Sequence, residues 1–103
     1  MNEDTSEPTA MAFNYIEPPG GAEEYYANHL QVFWTGVDVT LIFGELTHSP
    51  EKVAQHILEI ENRAKVTFSW SVAKLVMHNL AGLIARYEEK NGEVKLPGQY
   101  DLP

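Results

Sequence analysis

The chain has 103 residues, 15 acids against 7 bases for a net charge of −8, and no cysteine. That length holds one domain at most. Disulfide reinforcement is excluded, and a cytoplasmic compartment is the natural expectation. No apolar run approaches ~18 residues and no basic, then apolar, leader is present, so neither a membrane span nor a signal peptide is expected.

Residues 1–24 carry six acids (Glu3, Asp4, Glu7, Glu17, Glu23, Glu24), no base, and a Pro/Gly cluster at Pro18, Pro19, Gly20 and Gly21. Such a segment buries too little apolar surface to offset its ordering entropy and reads as a disordered acidic arm. The rest of the chain has nine acids and seven bases, so most of the charge belongs to the arm. Inside the arm, Met11, Phe13, Tyr15 and Ile16 form an apolar island. Its alternation at 11, 13 and 15 suits docking on a partner groove or a sheet edge. The alternative is an accident of composition.

Residues 25–92 are expected to form the single folded domain. A first strand is predicted over 25–35, with Leu30, Val32 and Trp34 on one parity and His29, Gln31 and Phe33 on the other. Thr35, Gly36, Val37 and Asp38 make a turn candidate. A second strand follows over 37–46, with Val39, Leu41 and Phe43 inward and Ile42 outward. The two form an antiparallel hairpin. Residues 47–55 read as a loop with room for a short helix, because Ser49, Pro50 and Glu51 resemble a helix start.

Residues 57–68 alternate cleanly. Leu58, Ile60, Ala64, Val66 and Phe68 share one parity, with Asn62 the polar exception, while Glu59, Glu61, Arg63, Lys65 and Thr67 take the other. This predicts a third strand with one dry and one wet face, in which Asn62 either finds hydrogen-bond partners or marks the end of the core.

A long helix is predicted over 70–90, capped by Ser69 or Ser71 and stopped at Asn91 and Gly92. Val72, Val76, Leu80, Leu83 and Tyr87 form one stripe, expected to pack on the sheet at roughly 1.5–3 kcal/mol per large side chain. Leu75, Asn79, Gly82 and Arg86 form a second stripe, either scattered surface residues or a close helix–helix seam. Residues 93–103 are a short tail. The expected fold is α+β: a three-stranded antiparallel β-meander followed by one long C-terminal helix packed on the sheet.

The segments Tyr25-Tyr26-Ala27-Asn28-His29-Leu30-Gln31-Val32 and Val37-Asp38-Val39-Thr40-Leu41-Ile42-Phe43-Gly44 look like one family. With Ala73-Lys74 and Arg86-Tyr87-Glu88, the chain resembles the prokaryotic domain of unknown function 3467 over residues 25–92. The family pattern has a proline after the capping serine, where this chain has Trp70. The resemblance implies the strand–strand–strand–helix order and carries no established activity.

The chemistry-bearing residues are sparse. His29, His48, His56 and His78 are never closer than eight residues, and no local ligand pair exists, so no metal and no cofactor are expected. Asn28 and His29 could bind a ligand or act as acid and base, but no nucleophile or second acid accompanies them, and a strand-capping role weighs more. Glu59 and Glu61 share their parity with Arg63 and Lys65, as solvated cross-strand charges do. Those two bases are too diluted for a nucleic-acid surface.

The leading expectation is a non-enzymatic interaction or scaffolding module. About 70 ordered residues make a marginal core, which asks for a homo-oligomer. Partner contacts are expected at Asn28, His29, Phe33 and Ile42, at the stripe of Leu75, Asn79, Gly82 and Arg86, and at the island of Met11, Phe13, Tyr15 and Ile16. Its partners are expected to be itself and an unidentified protein. A small enzyme or ligand-binding protein using His29 and Asn28 is the alternative. A chaperone-like peptide holder or a nucleic-acid binder ranks below both.

Overall fold

The structure, a computed structural model, describes residues 11–47 and 50–97. Strands β1 (His29–Trp34), β2 (Asp38–Thr47) and β3 (Glu59–Ser69) form one antiparallel sheet in the order β1-β2-β3. Helix α1 (Pro50–Ala54) lies between β2 and β3, and helix α2 (Trp70–Asn91) follows β3. The expected meander and C-terminal helix are therefore present, with α2 contacting the sheet at its start.

The hairpin turn closes through Thr35. Its backbone N–H donates to the Asp38 carbonyl (2.8 Å), and its hydroxyl oxygen accepts from the N–H groups of Val37 (3.1 Å) and Asp38 (3.0 Å). One hydroxyl thus satisfies two loop donors, which is why threonine suits this place. β1 begins later than its apolar pattern suggests, at His29. Residues 22–28 form no strand, although the Asn28 N–H still reaches the Gly44 carbonyl at 3.0 Å.

The short helix allowed by Pro50 forms as α1. His48 and Ser49, including the expected cap, lie outside the described residues. The helix ends in a turn where Ile57 N–H returns to the Lys52 carbonyl (2.8 Å) and His56 takes a positive φ of 61°.

The third strand departs from its pattern. Phe43 faces Ala64, but Gly44 faces Asn62, so the register skips Arg63. One extra residue in an alternating strand inverts every side chain beyond it. Ala64, Val66 and Phe68 lie on the face of Phe43, Leu41 and Val39, where β1 adds Leu30, Val32 and Trp34. Ile60 and Asn62 lie on the other face, beside Leu46 and Gly44, while Glu59 and Glu61 end the apolar face. The single dry parity expected for 58–68 is thus split between two faces. Asn62 is polar because it sits at the bulge and exposed, where an apolar side chain gains nothing.

Ser69 serves as both the last rung of β3, paired with Asp38, and the cap of α2. Its Oγ accepts from Val72 N–H at 3.2 Å. The Trp70 indole donates to the Thr35 carbonyl (3.1 Å), tying the helix start to the hairpin turn. Gly92 ends the helix at φ 89°, a conformation that L side chains rarely adopt, with its N–H on the Glu88 carbonyl (2.9 Å).

Among the described residues, Val39 is the only buried hydrophobic side chain, at 5% exposure. Residues 77–87 of α2 are exposed on every side. Of the stripe predicted to face the sheet, Val76 is half-buried, while Leu80, Leu83 and Tyr87 stay open on the protomer. The physical reason is the junction: no residue separates β3 from α2, so the chain has no loop in which to reverse over the sheet.

Candidate interaction surfaces

Three apolar surfaces stand open on the protomer. The first is the sheet face built from alternate residues of all three strands. Its β1 row, Leu30, Val32 and Trp34, is about half to two-thirds exposed (Trp34 67%), and Val66 in β3 is similarly open. A groove of about 280 Å³ on this face is lined by Tyr25, Ala27, Phe43, Ala64 and Val66. Every lining side chain is apolar or aromatic. At the end of the face, Arg63 bridges Glu45 (3.0 Å) and Glu61 (2.7 Å). These half-exposed ion pairs contribute little stability but close the apolar area with a charged border.

The second surface is α2 beyond its second turn. Leu80, Leu83, Ile84 and Tyr87 are each about half exposed. On the neighbouring stripe Leu75 is exposed, and a Cβ built on Gly82 would meet nothing within 4 Å. That opening leaves room for the close approach expected of Leu75, Asn79, Gly82 and Arg86.

The third surface is the β1 edge. A sheet edge is ordinarily guarded by lysine, proline or a bulge. The bulge and charges fall on β3, whereas β1 reads His-Leu-Gln-Val-Phe-Trp.

The structure brings together His29, Phe33 and Ile42, which share the sheet face opposite the apolar one. His29 pairs with Gly44, Gln31 with Ile42, and Phe33 with Thr40. On the same face the Thr40 and Thr67 hydroxyls meet at 2.7 Å. A shallow depression of about 220 Å³ joins Ile42 to Asn62, Arg63, Ala64 and Lys65.

Asn28 sits just before β1, and its Oδ1 accepts from the Leu46 N–H at 2.7 Å. It holds the β2 backbone where the β1 ladder has ended. Asn28→Ala is expected to lower stability by about 0.5–1.5 kcal/mol, the net worth of the hydrogen bond that Leu46 loses. Thermal melting checks this, and an unchanged midpoint returns Asn28 to the ligand-binding reading.

The island of Met11, Phe13, Tyr15 and Ile16 is more than 80% exposed on average and contains one tilted ring pair, Phe13 with Tyr15 at 6.3 Å. It belongs to no strand or helix. Nearby, the Tyr25 hydroxyl donates to the Glu23 carboxylate, whose hydrogen bond and negative charge push the phenol above its usual pKa. His56 follows α1 and His78 lies on exposed α2. Among the described residues no three metal-ligating side chains come together, and no helix is long and apolar enough to cross a membrane.

The alternation put Val66 on a dry face and the helical period put the Leu80 stripe on the sheet, so neither pattern marked these residues as open surface, and the Leu30, Val32 and Trp34 row carried no sign of its face. Periodicity reports which residues seek burial but not whether the same molecule supplies the cover. No family model matches the chain, and neither a curated protein nor a solved structure matches it.

Proposed function

We propose that the protein is a small non-enzymatic interaction or scaffolding module that works as a homo-oligomer. The observation that supports this is the burial of a single hydrophobic side chain among the described residues, beside an open apolar sheet face and an open helix. A domain gains its stability chiefly by removing apolar surface from water. A protomer that leaves this much exposed acquires the missing cover from another chain. The unguarded β1 edge favours the same reading. Asn28 already bonds to Leu46, which weighs against its use, with His29, as a catalytic pair.

The Tyr25 to Gly44 segments and the Arg86-Tyr87-Glu88 helix end support a likeness to the domain of unknown function 3467 family, and the lack of cysteine suits a cytoplasmic setting. The Met11 to Ile16 island is its second contact, for a protein partner. Light scattering on the purified full chain at tens of micromolar tests the central claim. The expected mass is twice 11.6 kDa or a higher multiple, and a monomer overturns it.

A further inference from the structure

Each protomer carries one uncovered apolar helix and one uncovered apolar sheet face. Resting on the homo-oligomer reading, we infer that a second copy of this chain covers both, in a two-fold exchange where α2 of each protomer lies along its partner's apolar sheet face. Four observations lead there.

Beyond its first turns the helix does not reach its own sheet without breaking structure. Reversal at the junction breaks the Ser69 and Asp38 rung, the Ser69 cap on Val72 and the Trp70 bond to Thr35. The dimensions agree: the open stretch of α2 from Leu80 to Tyr87 spans about 12 Å, within the apolar rows Leu30–Trp34 and Ala64–Phe68, each about 16 Å long. The stoichiometry closes. A helix–helix pair alone leaves two sheet faces wet, and a sheet–sheet pair leaves two helices wet. Reciprocal exchange covers all four surfaces with one self-complementary interface, as two-fold symmetry requires. Finally, Leu80, Leu83, Ile84 and Tyr87 with Leu30, Val32, Trp34 and Val66 are each 44–67% exposed, and covering all eight on each copy approaches the roughly 800 Å² per partner of a standard stable interface.

The absence of native cysteine makes engineered thiols unique reporters. The double variant Val32→Cys/Leu80→Cys and its two single variants are treated with a short bis-maleimide, alongside light scattering of each. Val66→Cys/Ile84→Cys is run in parallel, so that one misfolded variant does not decide the outcome. Exchange predicts conversion of most of the monomer band to covalent dimer in the double variants, with little in the singles. A single variant that cross-links as well as the double marks β1 against β1 or α2 against α2. That result overturns exchange and leaves the homo-oligomer standing. A dimer by scattering that yields no covalent dimer, or only cross-links within one chain, also overturns exchange. Monomers by scattering in both the parent chain and the variants overturn the homo-oligomer reading itself.

Discussion

Leu80→Glu is expected to split the oligomer into monomers of 11.6 kDa. Leu80 is 50% exposed on the isolated protomer, so within one chain the substitution touches almost nothing and should cost little. In an interface it replaces a buried leucine worth roughly 1.5–3 kcal/mol with a carboxylate whose unpaired burial costs more again. Two-fold symmetry doubles the effect. About 3 kcal/mol per protomer raises the dissociation constant roughly 10⁴-fold. Sedimentation or light scattering reads this directly, and His78→Glu on the opposite side of α2 is the matched control, expected to stay oligomeric. Retention of the parent mass by Leu80→Glu means that the Leu80 stripe is not buried between chains.

Gly44→Ala tests the sheet itself. A Cβ on Gly44 would lie 2.6 Å from Ile60 Cγ2 and 3.1 Å from the Glu61 carbonyl oxygen. Both neighbours belong to the bulged stretch of β3. The isoleucine Cγ2 is anchored one bond from its Cβ, and the carbonyl is backbone, so neither moves cheaply. Overpacking of this kind costs about 1–3 kcal/mol. For a domain of this size that lowers the melting midpoint by on the order of 10 °C. Adding Ile60→Ala removes the worse of the two contacts, so the double variant should be less destabilised than the two single effects combined. A Gly44→Ala protein that melts with the parent would mean β3 does not press on β2 there.

The turn at 35–38, the Ser69 cap, the Gly92 stop and the meander order were legible because each rests on local chemistry: a hydroxyl near loop N–H groups, a cap oxygen, a positive φ. The bulge at Arg63 was not. Apart from Ile57 and Asn62 the alternation runs on through 57–68, and only the pairing of Gly44 with Asn62 shows that the parity turns over. Asn62 in an apolar row was the one sequence signal. It marks the inversion rather than a buried polar group. The same inversion moved Glu59 and Glu61 from the expected wet face to the charged border of the apolar one.

Candidate sites divide in the same way. His29, Phe33 and Ile42 come together on one face because strand register places them there, and Asn28 stands apart on its bond to Leu46. The stripes of α2 were legible as stripes, since helical periodicity needs only neighbours in the chain. By itself the sequence determined which residues turn, cap and seek burial, because those preferences act over a few residues. Only the tertiary structure decided which face each half of β3 presents and that α2 from residue 77 onward stays open. The loopless β3–α2 junction was already legible in the Ser69 cap, but the register past the bulge depends on pairing between residues far apart in the chain, which no local pattern encodes.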